Sequence, residues 1–359
     1  MIMDFEKAFD KVPHRRLLAK LHNYGIRGKL HNWVTSFLTK RQQRVMVNGE
    51  VSDFVPVTSG VPQGTVTGPM WFLIFINDLP DNIKSNIRLF ADDCVLYRTV
   101  KSPSDAEILQ HDLNTLTSWQ DRWLMKFNEK KCYVMRFTQS NSPLQFTYKL
   151  NNSNLQETAN HSYLGVEISK DLKWNQHIFK LTAKANRTLG FIRRNLSSCS
   201  RHLKLLAYKT LIRPLLEYSS SVWDPFTQLL IDRIEAVQRR AARFIMKNYS
   251  RFSSVSEMLD ELELEPLSTR RVIDRLVNFH KAREGKLAVP VQTLLHPVRR
   301  HTRHSNRNNF IQIRANKNCY KYSFIPNTTR DWNNLPEHLS DITESKNFKK
   351  EITKHYLKR

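Results

Sequence analysis

The first sixty residues alternate between short apolar runs and amphipathic stretches. The pattern predicts a short strand over 1–8 and helices over about 13–23 and 28–39, which are separated at Gly25. A hairpin follows, because polar and apolar residues alternate on both sides of the turn sequence Asn48-Gly49-Glu50. This mixture of helix and strand signals indicates an α+β fold for the N-terminal part of the chain.

Pro62, Gly64 and Gly68 then punctuate a loop that leads into an apolar segment. The elements predicted after this loop are an apolar helix at about 67–79, a strand–turn–strand hairpin at 86–100, a long amphipathic helix at about 103–125, and strands at 132–137 and 161–169. The hairpin sequence is NIRLFADDCVLYRTV, so its predicted turn falls at two adjacent aspartates.

The pattern changes at Trp174, where apolar residues begin to recur at helical spacing. Further helices are predicted at about 201–218, 229–247 and 268–284, and the remainder has only a loose pattern. No acidic residue lies between Pro297 and Asn318. We therefore expect three regions: an α+β domain over 1–169, a helical basic region over 170–290 and a basic C-terminal region over 291–359.

The charge balance is strongly basic. The 359 residues include 57 Lys and Arg against 33 Asp and Glu, a formal net charge of +24. Such an excess indicates a polyanionic partner, either nucleic acid or an anionic membrane surface. The candidate nucleic-acid-binding residues of the helical region are Arg187, Arg193, Arg194, Arg239, Arg240, Arg243 and Lys247. The alternative is a solvated basic surface, and a membrane role is less favoured because the charges are not confined to one amphipathic helix.

Targeting and cysteine signals are weak. The longest apolar run, WFLIFI, is far shorter than the roughly 18 residues of a membrane span. The N-terminus is acidic where a signal peptide would be basic, so we expect neither feature and a location in the nucleus or the cytoplasm. The four cysteines have no CxxC spacing, which argues against a zinc knuckle or a disulfide framework.

The paired carboxylates Asp92 and Asp93 raise a physical question, because they repel each other within apolar surroundings. An isolated Asp pair is most often a turn feature. However, Asp4 lies in a second short apolar strand, and the loop GVPQGTVTGP lies between the two. Carboxylates gathered from two strands can bind divalent metal, and two ions about 3.5–4 Å apart can promote phosphoryl transfer. The pattern therefore favours a two-metal site.

Five strings, in this order along the chain, extend the case beyond the carboxylates: DFEKAFDKV, SGVPQGTVTGPMWF, FADD, FNEKKC and YLGVEIS. Their succession resembles the polymerase motifs of reverse transcriptases, and the sequence is most similar to the enzymes of non-LTR (LINE-like, jockey-type) retrotransposons. The downstream strings LLEYSSSVWDP, IEAVQRRAARFI and RDWNNLP are also similar to such elements. The resemblance covers nearly the whole chain.

The resemblance implies a polymerase palm with a ferredoxin-like antiparallel sheet backed by helices, followed by an α-helical basic thumb. It implies an RNA-directed DNA polymerase in which a DNA primer 3′-OH attacks the α-phosphate of a dNTP opposite an RNA template. Two Mg²⁺ ions, with Mn²⁺ as the alternative, would be bound by Asp4, Asp92 and Asp93 and by the backbone carbonyl of Phe5. Asp10 is interpreted as structural, because it lies beyond the strand end.

Other residues match the family's substrate-binding positions. Phe9 matches the steric gate against ribose, although a core phenylalanine is the simpler alternative. Gln63 and Gly64 match the loop near the template base and the incoming nucleotide, or form an ordinary Pro-Gly loop. Lys131 matches the lysine that assists the pyrophosphate leaving group. Its neighbour Lys130 and a purely surface role remain alternatives.

Tyr163, Leu164 and Gly165 match the primer grip, or serve packing alone. Family enzymes carry finger strands and an endonuclease upstream of the first aspartate, so we expect the fingers to be incomplete and the activity of this chain to be reduced or lost. A separate chain that supplies fingers or endonuclease is a further candidate partner. The rival interpretation is a non-catalytic RNA- or DNA-binding remnant of such an element.

Overall fold

The computed structural model describes residues 1–287, 293–298 and 307–357. The chain divides into two compact units, Met1–Leu164 and Gly165–Arg359. Helices and mostly antiparallel strands occur together, so the mixed helix-and-sheet class is confirmed. None of the helices within the described ranges is both long enough and apolar enough to cross a bilayer.

The first unit contains both helices and strands. Its helices are α1 (His14–Asn23), α2 (Gly28–Leu38), α3 (Gly68–Ile76) and α4 (Pro103–Trp123), with a 3-10 turn at Glu129–Lys131. Its strands are β1 (Ile2–Met3), β2 (Arg41–Gln43), β3 (Met46–Val47), β4 (Glu50–Val51), β5 (Val55–Val57), β6 (Asn86–Phe90), β7 (Asp93–Tyr97), β8 (Tyr133–Val134), β9 (Lys149–Leu150), β10 (Ser153–Asn154), β11 (Gln156–Glu157) and β12 (Asn160–Tyr163).

A five-stranded sheet in the order β11-β8-β1-β7-β6 organises this unit. β1 is antiparallel to both of its neighbours, and Met3 pairs with Cys94 of β7. Both side chains are fully buried in one hydrophobic core, to which Leu17 of α1, Phe75 of α3 and Leu113 of α4 also belong. The sheet therefore has one face covered by helices, as alternating burial along its strands requires.

Several predicted strands differ in length from the observed ones; the strand predicted at 132–137, for example, is only Tyr133–Val134. β1 has two residues rather than most of 1–8, because Lys7 adopts a positive φ of 50° that turns the chain. The predicted strand at 161–169 is broken at Leu164 and Gly165, whose φ angles are 46° and 77°. Residues 160–163 and 166–169 are consequently separate strands.

The second unit is mainly helical. Its elements are strand β13 (Val166–Ser169), helices α5 (Asn175–Asn195) and α6 (Arg201–Ala207), a π-helical segment (Tyr208–Ile212), and helices α7 (Arg213–Glu217), α8 (Ser220–Trp223), α9 (Gln228–Met246), α10 (Val255–Glu261), α11 (Leu267–Arg283), α12 (Asn318–Lys321), α13 (Phe324–Asn333), α14 (Glu337–Ser340) and α15 (Ser345–Tyr356). Most of the helices predicted from the pattern between 174 and 284 are present within a few residues.

The C-terminal segment is more ordered than its loose pattern suggests. Trp332 and Phe348 are fully buried and share a core with Phe279 of α11. The Arg275 guanidinium, also on α11, donates to Asp224 and to Asp331, both at 2.8 Å. Helices α13 and α15 therefore complete the second unit rather than trail from it. The stretch between Pro297 and Asn318 that lacks acidic residues contains Arg299, Arg300 and Arg303, which lie outside the described residues.

Candidate active site

The aspartate pair lies at the tip of the β6–β7 hairpin. Phe90 pairs with Asp93, so the turn consists of Ala91 and Asp92 alone. Ala91 has a φ of 49°, as two-residue hairpin turns require at their first position. In β7 Cys94 is buried in the core and Asp93 is half-buried, so alternation directs the Asp93 carboxylate to the opposite face of the sheet. The local sequence thus fixes where both carboxylates project.

Asp4 reaches the same place from β1. Ile2 pairs with Val95 and Met3 with Cys94, so the register continued by one residue sets Asp4 opposite Asp93. Residues opposite each other in an antiparallel pair project from the same face. The pKa of Asp93 is raised, chiefly by burial and then by the charges of Asp92 and Asp4. The three predicted carboxylates are therefore brought into electrostatic contact.

A lysine accompanies these carboxylates. The Lys131 ammonium lies 3.0 Å from Oδ2 of Asp4. This hydrogen bond, the Asp4 charge and a smaller contribution from Asp92 raise the pKa of Lys131. The backbone supports the contact, because the Asn128 N–H donates to the Asp4 carbonyl at 2.8 Å and the Lys131 N–H donates to the Asn128 carbonyl at 2.9 Å. Of the two lysines that the sequence left open, the structure places Lys131 at the carboxylates.

The backbone on the other side of Asp4 is anchored by an aromatic pair. The Phe5 ring is 2% exposed and stacks on Phe127 with 4.3 Å between the ring centres. Leu124 ends α4 with a φ of 58°, and Gln120 accepts the Phe127 N–H at 2.8 Å. This arrangement holds the segment 126–128 beside residues 4–6, so the Phe5 carbonyl belongs to a fixed stretch of backbone.

Phe9 lies between the core and the surface. Its ring is partly buried and stacks on Phe72 of α3, with 4.6 Å between centres and 24° between planes. Its carbonyl accepts the Val61 N–H at 2.8 Å. The ring is thus held in one orientation, which suits a gate as well as a core residue, and its function stays a prediction.

The loop after Ser59 is attached to the segment that follows Phe9. The Gly60 N–H donates to the Val12 carbonyl at 2.8 Å, and the Gln63 side-chain amide donates to Asp10 Oδ1 at 3.2 Å. Gly64 has a φ of 78°, which favours glycine. Asp10 therefore has an observable structural partner that sequence reasoning did not identify, because the two residues are 53 positions apart.

The predicted primer-grip residues fall at the division between the units. Tyr163 and Leu164 end the first unit, and Gly165 begins the second. Burial raises the pKa of Tyr163, and the charges of Asp93 and Cys94 add to this effect. His161, which no motif had indicated, partly offsets the rise in the pKa of Asp93. Tyr163 and His161 therefore belong to the electrostatic surroundings of Asp93.

The predicted nucleic-acid-binding residues lie on two helices of the second unit. Arg187, Arg193 and Arg194 are exposed on α5. On α9, Arg240 donates to Asn186 of α5 at 3.0 Å, and Arg239 and Arg243 donate to backbone carbonyls. Lys247 ends α9. The structure thus joins the two basic stretches through the packing of α5 against α9.

The metal prediction receives support from chemistry but not from a preformed cluster. Among the residues that the structure describes, no three His, Cys, Asp or Glu side chains are arranged to hold an ion. The three carboxylates nevertheless suit a hard divalent cation, because such cations prefer carboxylate oxygens as ligands. A bound cation would also relieve the repulsion that contributes to the raised pKa of Asp93.

Comparison with known proteins supports the resemblance of the motifs. Residues 1–168 match the family described as "Reverse transcriptase (RNA-dependent DNA polymerase)". The chain is 28% identical over 304 residues to the probable RNA-directed DNA polymerase from transposon BS of Drosophila melanogaster, covering 78% of this chain and 33% of the relative. It is 28% identical over 256 residues to the polymerase from the mobile element jockey of the same species, covering 68% and 28%.

The chain thus spans a third or less of the length of these relatives. The matched names agree with the non-LTR retrotransposon resemblance of the motifs. Residues 1–168 of the chain thus match the reverse transcriptase family.

Proposed function

We propose that this protein is the RNA-directed DNA polymerase of a non-LTR retrotransposon, which adds dNTPs to a DNA primer on an RNA template. The observation that carries the proposal is the gathering of Asp4, Asp92 and Asp93 at one end of the sheet, with Lys131 beside them. Catalysis of this reaction depends on positioning and on neutralising charge at the transferred phosphate. A rigid hairpin tip and an anchored β1 suit that task.

The architecture supports assigning parts of a polymerase. In this proposal residues 1–169 form the palm, and the five-stranded sheet of the first unit, with helices on one face, is the ferredoxin-like element. The helical second unit contains the thumb, over 170–290, and the basic C-terminal region, over 291–359. Finger strands or an endonuclease on a separate chain remain candidate partners.

The proposed metal ligands are Asp4, Asp92 and Asp93 together with the Phe5 carbonyl. Two divalent cations, Mg²⁺ or Mn²⁺, would supply positive charge to the attacking and leaving oxygens. Lys131 holds a proton at Nζ near Asp4, from where it can neutralise the departing pyrophosphate. The Asn128 N–H keeps the Asp4 carbonyl, and with it the strand end, in place.

The remaining site residues position the substrates. The Phe9 ring, fixed against Phe72, blocks a ribose hydroxyl and so selects dNTPs. Gln63, held by Asp10, and Gly64 line the approach of the template base. Tyr163, Leu164 and Gly165 hold the primer end.

The basic helices hold the nucleic acid. Exposed arginines of α5 and α9, with Lys247, contact phosphates, which agrees with the net charge of +24. The second candidate is nucleic-acid binding without catalysis, which the exposed basic side chains of α5 and α9 would support on their own. Both candidates predict binding, and only the first predicts DNA synthesis.

A primer-extension assay separates the two. The full chain should extend oligo-dT on a poly-rA template in the presence of Mg²⁺ and dTTP. Asp4→Asn and Asp92→Asn should each reduce extension by at least a hundredfold, because each removes a charge from the transition-state environment. Asp53→Asn, an exposed carboxylate of the same unit, is the matched control. No extension by the wild type, with nucleic-acid binding intact, would support the non-catalytic candidate.

A further inference from the structure

The second unit contains two segments that lack acidic residues altogether. Residues 172–216 carry ten Lys and Arg and no Asp or Glu, and residues 236–256 carry five and none. The structure packs these segments together, because α5 lies along α9 and the Arg240 guanidinium donates to the Asn186 side chain at 3.0 Å. Positive charge is therefore concentrated on α5 and on the part of α9 that follows Glu235, which have no carboxylates of their own to neutralise it.

The loop that follows α9 is held in a defined shape. We call residues 248–253 the aromatic loop. Arg243 donates to the Ser250 carbonyl at 2.8 Å, and the Asn248 amide donates to Ser253 Oγ at 2.9 Å. The Phe252 N–H donates to Ser250 Oγ at 3.2 Å. These bonds order the loop backbone without any contribution from its aromatic rings.

Those rings face water. The Phe252 side chain is 100% exposed and Tyr249 is 56% exposed. The Arg193 guanidinium lies 5.8 Å from the centre of the Tyr249 ring, so the aromatic loop adjoins the basic end of α5. Lys247 and Arg251 add charge within and beside the loop. An ordered loop that presents flat rings among cations has the composition of a single-strand-binding surface.

We propose that the aromatic loop stacks on unpaired bases of single-stranded nucleic acid, while Arg193, Arg194 and Lys247 hold the adjoining phosphates. Every base has a π-face, so stacking on Phe252 requires no particular sequence. Bases within a duplex are already stacked on one another and offer the ring no free face except at an end. This inference rests on the proposed binding of nucleic acid by the second unit, and it specifies which form of nucleic acid this surface takes.

Basic residues beside exposed rings also occur on proteins that bind anionic membranes. The sequence of this loop favours the base instead, because Lys247 to Ser254 contains no aliphatic residue that could insert among acyl chains. Vesicles are therefore included in the test as a competing ligand.

The test is a fluorescence-anisotropy titration of the full chain with a labelled oligo-dT single strand and with a duplex hairpin of equal phosphate number. Phe252→Ala should weaken single-strand binding at least fivefold, since losing one base stack typically costs about 1–3 kcal/mol. Duplex affinity and the salt dependence should not change, because no charge is removed. Phe252→Trp should retain binding. Leu229→Ala, which alters a 77% exposed side chain elsewhere on α9, is the matched control.

Each contrary result identifies what has failed. Unchanged single-strand affinity in Phe252→Ala, or an equal loss on the duplex, overturns the stacking inference and leaves nucleic-acid binding standing. A wild type that binds neither oligonucleotide overturns both. Loss of binding to phosphatidylserine vesicles in Phe252→Ala, with single-strand affinity intact, assigns the loop to a membrane instead. Because the Phe252 side chain is fully exposed to water, Phe252→Ala should unfold at the same temperature as the wild type. That result would show that its weaker binding is not caused by misfolding.

Discussion

The Lys131 ammonium and the Asp4 carboxylate form an ion pair of 3.0 Å, although the Lys131 side chain is 64% exposed. An exposed pair of this kind contributes little to stability. Its consequence is chemical, because the contact raises the pKa of Lys131 and keeps the amine protonated throughout the neutral range. In the proposed polymerase, this protonated lysine is positioned to assist the leaving pyrophosphate.

Replacing this lysine should slow catalysis and leave the fold intact. We expect Lys131→Ala to lower kcat for primer extension by about 10²-fold, in the range of a lost general acid. Lys130→Ala is the matched control and should remain within about threefold of the wild type. Equal rates for the two variants would mean that Lys131 is a solvated surface lysine without a role in catalysis.

Sugar selection tests the position of Phe9. Phe9→Val should admit rNTPs, because the ring stacked on Phe72 would no longer occupy the space beside the sugar C2′. The measurement is the ratio of kcat/KM for dTTP and UTP, which should fall at least tenfold. Phe72→Leu provides the comparison, since it removes the stacking partner without removing the ring. If Phe9→Val lowers stability and leaves the ratio unchanged, the ring is a core residue.

Salt dependence tests the basic helices. Arg193→Ala/Arg194→Ala should flatten the log–log slope of duplex affinity against salt by about two units, one for each phosphate that the protein no longer neutralises. Arg239 and Arg243 are less suitable for this test, because both already donate to backbone carbonyls. Lys350→Ala/Lys354→Ala removes the same charge from α15 and should leave the slope unaltered. Identical salt slopes in both double variants would mean that the C-terminal end of α5 does not contact the nucleic acid.

A buried lysine makes the stability of the protein depend on pH. Lys20 is 3% exposed and pairs with Asp78 at 2.5 Å, and burial lowers its pKa to about 8. Between pH 8 and about 10.5 the unfolded chain holds this proton more tightly than the folded one, so the contribution of Lys20 to the unfolding free energy rises with pH. Lys20→Met lacks this contribution. In urea titrations, the free energy of unfolding of the wild type should rise by about 1–2 kcal/mol relative to that of Lys20→Met between pH 8 and pH 10.

The control for that experiment is Lys29→Met, an exposed lysine of the same unit, which should follow the wild type at both pH values. Parallel pH profiles for wild type and Lys20→Met would show that Lys20 titrates normally.

The start of α3 should not tolerate a methyl group. A Cβ at Gly68 would clash with the Pro62 carbonyl oxygen and approach Thr65 Oγ1 to 2.9 Å. We expect Gly68→Ala to lower the free energy of unfolding by about 3 kcal/mol. Gly64→Ala has open space around its Cβ and should cost only the strain of a positive φ, about 1 kcal/mol. Similar losses for both variants would mean that the loop shifts freely.

Local patterns predicted the hairpin well and the approach of Asp4 only in part. The alternation from Asn86 to Tyr97 and the paired aspartates identify the turn, because every signal lies within a dozen residues. The length of β1 was overestimated, since its limit is set by Lys7 and by backbone bonds to residues 126–128. Such long-range pairing leaves no periodic trace in the sequence.

The same reason explains the burial of Lys20. In sequence it stands in an ordinary amphipathic helix, but its ammonium lies 3.8 Å from the ring centre of Trp123 and donates to the Phe75 carbonyl. Two of the four C-terminal helices that the structure describes, α12 and α14, were missed because they are only four residues long, too short for a helical period to be recognised. The apolar partners of α13 and α15 lie on α11, more than forty residues earlier in the chain.

The double attachment of Arg275 to Asp224 and Asp331 also bears on how copies of such a gene decay. A stop codon between positions 318 and 331 would remove Asp331 together with Trp332 and Phe348, so Arg275 would remain buried with a single carboxylate beside an opened core. Removing one partner of a buried ion pair typically costs about 3–5 kcal/mol, a large part of the stability of a domain. Nonsense mutations near the 3′ end should therefore silence a copy by misfolding and degradation, even where every codon of the carboxylate site is intact.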